Sequence, residues 1–158
     1  MLVYHGSNLE VIYPNIKYKN YKTDFGKGFY VIDNFEAAKK IAMEKNIESR
    51  TSFVTIYEYT SNSNLKILNF DEITKEYLEF INNNWVSDKL LHTYDIVIGY
   101  FIEDELLSKL GMWNNKMKTI KKDYRTIQEV KKHNLHKQMC FSTNKALKSL
   151  KYIETIKI

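Results

Sequence analysis

The sequence predicts an α+β fold, on three observations. Stretches with strict apolar–polar alternation are mixed along the chain with stretches whose apolar residues recur every three or four positions. The two kinds do not follow the βαβ rhythm of a doubly wound parallel sheet. The chain has 158 residues and shows no repeat, low-complexity tract or linker-like stretch, so one domain over 1–158 with a single substantial core is expected.

In chain order, Leu2, Val3 and Tyr4 form a first strand that ends in His5-Gly6-Ser7. Residues 8–24 hold the single proline, Pro14, among Asn, Lys and Tyr residues, and read as irregular loop. Asp24-Phe25-Gly26-Lys27-Gly28 leads into a second strand, Phe29 to Ile32. A helix follows from Phe35 to Asn46, with Phe35, Ala38, Ile41 and Ala42 on one face and Asp33 or Asn34 as its cap. Alternation from Phe53 to Tyr59 makes a strand, Ser61-Asn62-Ser63-Asn64 a turn, and Leu65 to Leu68 a short strand.

Asp71 to Trp85 carries Ile73, Tyr77, Phe80, Ile81 and Trp85 near helical spacing. Asp95 to Phe101 is apolar enough to be a buried strand, and Glu103 to Leu110 a short helix whose first residues are acidic, as a helix N-terminus favours. Met117, Ile120, Tyr124, Ile127 and Val130 form an apolar stripe backed by a basic face. Lys137 to Phe141 is a strand, Thr143 to Leu150 a capped helix, and Tyr152 to Ile158 a closing strand.

Composition excludes several classes. No apolar run approaches the roughly 20 residues of a bilayer-spanning helix, and the N-terminal residues lack the basic and apolar regions of a secretory signal. One cysteine, Cys140, rules out an internal disulfide framework and points to a reducing cytoplasm. One Cys and four scattered His make no zinc pattern, so no metal is expected. Residues 116–137 hold eight Lys/Arg against two acids, while the whole chain is +5. That local excess fits either a polyanion partner or a solvated helix face.

Gly26-x-Gly28 lacks a third glycine and precedes a strand, so it is no dinucleotide phosphate loop of the Rossmann kind. Its setting is more informative. His5-Gly6-Ser7 closes one strand; Gly26-Lys27-Gly28-Phe29-Tyr30 introduces another, followed by an Ala-rich helix; and Gln138-Met139-Cys140-Phe141 runs into the Asn144-to-Tyr152 segment. In that order the three pieces resemble the ADP-ribosyltransferase superfamily, on the branch shared by diphtheria toxin and the poly(ADP-ribose) polymerases. That branch carries a His, a Tyr and a Glu on three separate strands. The likeness is nearest to a bacterial group of similar length, often encoded beside a small partner, in which Tyr94-Asp95-Ile96-Val97-Ile98-Gly99 and Gln138-x-x-Phe141-x-Thr143 also have counterparts.

The resemblance implies a split sheet, with helices packed on two small sheets and NAD bound in the cleft between them. It implies an NAD-dependent mono-ADP-ribosyltransferase that releases nicotinamide, acts on a protein or nucleic-acid acceptor, and serves as the toxin of a toxin–antitoxin or phage-defence pair with a small antitoxin protein. His5 would bond a ribose hydroxyl, Gly6 would clamp the carboxamide through its main chain, Ser7 would support that pocket, and Tyr30 would stack on the nicotinamide. Gly28 and Phe29 would flank the ring. Gln138 stands where the family has its catalytic glutamate. Its amide can bond a hydroxyl but cannot offset a cation, which argues against chain elongation. Ala38 and Ile41 replace a serine and a second stacking tyrosine of the polymerases, leaving Ile41 as an apolar floor and Phe25, Phe29 or Tyr21 as a second wall.

Two other readings remain open on the residues alone. One is a non-catalytic module that binds NAD or ADP-ribose, since the charged residue is missing. The other is a basic RNA-binding or RNA-cleaving protein using His133 and His136. Asp104 can border a cleft, and Cys140 is a nucleophile only if its environment lowers its pKa.

Overall fold

A computed structural model describes residues 1–16, 21–47, 51–111, 113–114 and 119–158. Its strands are β1 Leu2–Ser7, β2 Phe29–Ile32, β3 Phe53–Tyr59, β4 Ile67–Asn69, β5 Ile96–Tyr100, β6 Trp113–Asn114, β7 Thr119–Ile120, β8 Lys137–Phe141 and β9 Leu150–Lys157. Its helices are α1 Phe35–Glu44, α2 Lys75–Val86, α3 Asp104–Lys109, α4 Tyr124–Lys131 and α5 Asn144–Leu147. The architecture is α+β, built on a mixed sheet of seven strands in the order β4-β5-β8-β2-β1-β3-β9. β4 and β5 pair in parallel and the other neighbours are antiparallel. β6 and β7 form a separate two-stranded ribbon.

The expected pair of small sheets is thus one sheet, but it nearly parts in the middle. β1 lies against β3 over its whole length, and β2 against β8 likewise, whereas β1 meets β2 only at Tyr4 opposite Ile32. Carrying that register one and two residues further would set His5 against Val31 and Gly6 against Tyr30. The strands diverge there instead, and side chains take over their backbone bonds.

Alternation along the strands divides the core into layers. Phe29, Val31, Ile96, Met139 and Phe141 pack on one face with Val3, Tyr57 and Leu150. Val97 and Cys140 lie on the other face, under Tyr77, Leu78 and Ile81 of α2. α1 covers β1 and β3 through Ala37, Ala38 and Ala42, against Ile32 and Val54. These alanines let the helix come so close that a Cβ on Gly6 would stand 2.0 Å from the Ala38 carbonyl oxygen. Asn34 caps α1 by accepting from the Ala37 N–H at 2.9 Å.

Two helices differ from the sequence reading by more than their end residues. The stripe from Ile120 to Val130 is broken, because Asp123 accepts from the Thr126 N–H at 3.0 Å and starts α4 there. Ile120 instead belongs to β7, which Asn82 of α2 holds by bonding both its N–H and its carbonyl at 2.9 Å. Tyr124 is 78% exposed, and Met117 lies outside the described residues. The last predicted helix is one turn, Asn144–Leu147, because β9 already begins at Leu150.

Candidate functional site

The parting between β1 and β2 opens a small pit of about 50 Å³, lined by Tyr4, His5, Gly6, Tyr30, Ile41 and Gln138 among others. Tyr30, Ile41, Lys45, Phe101 and Gln138 also line a neighbouring cavity of about 650 Å³. That second space extends past Asp24 and Trp85 to the acidic start of α3, Glu103-Asp104-Glu105. Its volume falls within the range of small-molecule sites, about 300–1,000 Å³. Of the residues singled out in the sequence, the structure gathers His5, Gly6, Tyr30, Ile41, Gln138 and Asp104 around these adjoining spaces.

His5 sits in the parting itself. Its ring stacks on Phe29, with centroids 4.4 Å apart, and its Nδ1 lies 2.7 Å from the Tyr30 carbonyl. A carbonyl can only accept, so Nδ1 carries the proton, and in the neutral ring Nε2 keeps a lone pair. The side chain thus fills the place of a missing rung between the strands. Gly6 turns its carbonyl to the same gap, where the Lys45 ammonium donates to it at 3.0 Å.

Tyr30 is held by its hydroxyl, which donates to the Gly26 carbonyl at 2.6 Å and accepts from the Phe25 N–H at 3.0 Å. Burial pushes this phenol well above its ordinary value, so it stays neutral. Gly26 makes the bond possible, since its φ of +76° lies in the left-handed region that glycine enters without strain.

Other expected contacts fall elsewhere. Ser7 is buried, and its hydroxyl accepts from the Leu9 N–H at 3.3 Å, away from both cavities. Gly28 lies flat on β8, where a Cβ would stand 2.3 Å from the Cys140 sulfur. Phe29 is buried on the opposite face of the sheet, edge-on to Tyr57. These three do not line the site, because strand alternation turns Phe29 away and close packing accounts for Gly28. Phe25 is fully buried behind Tyr30, and neither it nor Tyr21 forms a second wall. Burial pushes the Cys140 thiol up to about 11, which leaves it inert as a nucleophile.

Gln138 is buried, and its amide is engaged. Nε2 donates to the Asp24 carboxylate and reaches the Tyr100 carbonyl at 3.5 Å. The other Asp24 oxygen accepts from the Trp85 indole N–H at 2.9 Å. α2 also grips the backbone here: Asn84 donates to the Asp24 carbonyl at 3.2 Å, and His92 beyond it bonds the Phe25 carbonyl at 2.8 Å. Burial raises the Asp24 carboxyl above its usual range, against the lowering pull of its two donors.

Asp24, Trp85, Lys45 and Phe101 were not marked as site residues in the sequence. Asp24 stood two residues ahead of Gly26, but its partner lies 114 positions away. The acids Asp24, Glu44, Glu103, Asp104 and Glu105 outnumber Lys22, Lys40 and Lys45 around the larger cavity. Lys40 is itself tied to Glu103 and, at 3.6 Å, to Glu105.

His133 and His136 line a further space with Lys109; it shares Lys40, Phe101, Glu103 and Glu105 with the larger cavity, and His136 Nδ1 lies 3.8 Å from an Asp33 oxygen. In the basic segment Lys122, Lys131 and Lys132 pair with Glu79, Glu72 and Glu129. Among the described residues no group of three or more His, Cys, Asp or Glu is placed to hold a metal ion, and no helix is long and apolar enough to cross a membrane.

No curated protein and no solved structure matches the chain. The family described as "Protein of unknown function (DUF3990)" matches residues 1–152, nearly the full length, and the chain belongs to that family.

Proposed function

We propose that the cleft binds NAD and that the protein transfers a single ADP-ribose unit to a macromolecular acceptor, releasing nicotinamide. The observation that carries this reading is the meeting of His5, Tyr30 and Gln138, from β1, β2 and β8, around one opening where the sheet parts. Breaking the bond between nicotinamide and ribose builds positive charge on the sugar, as in glycoside hydrolysis. A protein accelerates it by holding the leaving base and stabilising that charge.

The residues present suit those tasks. Tyr30, anchored by its hydroxyl, offers a fixed aromatic surface. Ile41 and Phe101 add apolar lining, and His5 stands at the same opening, where the resemblance gives it a ribose hydroxyl to bond. The acidic surround of the larger cavity suits a substrate whose reacting ring is cationic. A split-sheet transferase fold, and a role as the toxin beside a small antitoxin in the cytoplasm, follow from the resemblance in sequence and belong to the same proposal.

The direct test is calorimetric titration of the purified protein with NAD, followed by incubation with labelled NAD and a cell lysate. Saturable binding, nicotinamide release and transfer of label to protein or nucleic acid are the expected results. Binding without release or transfer would make the chain a binding module, and absence of binding would overturn the reading altogether.

A further inference from the structure

We infer that Asp24 supplies the carboxylate for this reaction and that Gln138 is the residue that positions it; the inference rests on the NAD reading above. The observation is the junction of loop, strand and helix at this one side chain. Gln138 Nε2 from β8 and Trp85 Nε1 from α2 each bond a separate Asp24 oxygen, beside Tyr30 in the larger cavity. The strand position expected to carry a charge carries an amide, and the charge stands directly against that amide.

The substitution has a physical reason. Two carboxylates in hydrogen-bond contact cannot both ionise, because like charges at that range force one to keep its proton. An amide at 138 does the opposite, donating to Asp24 and favouring its charged form. A carboxylate at 24 and an amide at 138 therefore form a matched pair in which the ionic member is Asp24.

The apparatus around Asp24 is larger than a surface loop needs. Asn84 fixes its carbonyl, His92 fixes that of Phe25, and Tyr30 fixes that of Gly26. The carboxylate is thereby held at a set place in a half-buried environment that disfavours its charge. Such pre-organisation is what stabilisation of a developing cation requires.

In the step itself the bond from ribose C1′ to the pyridinium nitrogen breaks, and its electron pair goes to that nitrogen, so nicotinamide leaves neutral. C1′ then bonds the acceptor's oxygen or nitrogen, or water, and the proton of that nucleophile passes to solvent. Asp24 accepts a hydrogen bond from a ribose hydroxyl and offsets the charge on the sugar while both bonds are weak. Gln138 acts through Asp24, by holding its carboxylate in place.

Nicotinamide release, NAD affinity by calorimetry and melting temperature are measured for the unmodified protein, for Asp24→Asn, and for the double variant Asp24→Asn, Gln138→Glu. Asparagine keeps the shape and the bond from Trp85, and Gln138 can turn its amide to meet it. Asp24→Asn is expected to lower turnover about 100-fold, the size of losing one preorganised stabilising group, with NAD affinity changed less than about threefold. The double variant exchanges amide and carboxyl, and is expected to recover at least about tenfold of the loss.

Undiminished turnover in Asp24→Asn overturns this inference and leaves the NAD reading standing, whereas absence of NAD binding in the unmodified protein overturns both. Loss without recovery in the double variant removes Gln138 as the positioning residue. If Asp24→Asn does not fold, the double variant decides alone: turnover near that of the unmodified protein supports the pairing, and absence of turnover in a folded double variant overturns it.

Discussion

Asp24 and Asp95 are both carboxylates withdrawn from water, and they are treated in opposite ways. Asp95, at the head of β5, accepts from the Thr143 hydroxyl at 2.7 Å and the Lys66 N–H at 2.9 Å, with the Lys145 ammonium 3.6 Å away. Those bonds, the Thr143 hydroxyl foremost, hold its carboxyl below the usual range. Asp24 accepts from two neutral donors, and burial pushes it above that range. Asp95 ties the starts of β4, β5 and α5 together and lowers the energy of the fold. Asp24 ties a loop to a cavity wall where burial disfavours its charge. A charge held where burial opposes it, and braced from three sides, is what the proposed role of Asp24 calls for.

The sharpest way to break this contrast is at the anchoring end. Asp95→Ala removes two hydrogen bonds to an ionised group and leaves Lys66 N–H and Thr143 without their acceptor. A loss of about 3 kcal/mol is expected, or a fall in melting temperature of roughly 6–12 °C at neutral pH. Thermal unfolding by circular dichroism measures it. A fall under about 2 °C would mean that water replaces the carboxylate without cost, and the two acids would no longer differ in kind.

At the other end Asp24→Asn is expected to stabilise the protein by about 1 kcal/mol, a common size for a single favourable substitution. The corresponding rise in melting temperature is about 2–4 °C. This is the converse of the loss in turnover, and the two together mark a residue kept for chemistry at the expense of the fold. A lower melting temperature would instead make Asp24 a structural clasp for Trp85.

The pH dependence separates the two acids without relying on either magnitude. Asp95 has a depressed value in the folded state, so its contribution is complete above the unfolded value of about 3.9 and fades as pH falls through the lower folded value. Asp24 has a raised value, so its cost is absent below about pH 3.9 and sets in as pH rises through the higher folded value. The stability difference between Asp24→Asn and the unmodified protein should vanish in acid and grow towards neutrality. Denaturant unfolding between about pH 3 and 7, on either side of that ordinary carboxyl value, reads it. A difference independent of pH would show that charge is not the cause.

How much of this was legible in the sequence follows from the range of the interactions. β8 emerged with its bounds unchanged because one pattern of alternation sets Met139 and Phe141 against Gln138 and Cys140. α2 was recognised by its spacing, but its start moved to Lys75, because Thr74 accepts from the Tyr77 N–H and competes with the apolar signal of Ile73. The gathering of His5, Tyr30 and Gln138 was reached through resemblance, since each lies on a different strand and nothing local links them. Asp24 was missed for the same reason. A carboxylate's character depends on what surrounds it, and here that comes from residues 84, 85 and 138. The basic segment fits two readings in sequence because a local charge count leaves out acids of a distant stretch, Glu72 and Glu79, with which Lys131 and Lys122 pair.

The smallest effect concerns the pit. At about 50 Å³ it has room for a water or two, not for a pyridine ring. Lys45 lies across it on the Gly6 carbonyl, the acceptor that a carboxamide N–H would need. If the base enters there, Lys45 has to leave, and Lys45→Ala removes one competing hydrogen bond. Nicotinamide affinity should then rise about fivefold, the equivalent of about 1 kcal/mol for such a bond. Free nicotinamide is the right ligand, because NAD carries a diphosphate that the same ammonium could hold and that contact would mask the gain. An unchanged affinity would place the ring outside the parting, in the larger cavity that Trp85 and Asp24 line. Gly6 would then be glycine only because α1 packs against it, and the His5 ring would serve only to close the gap between strands.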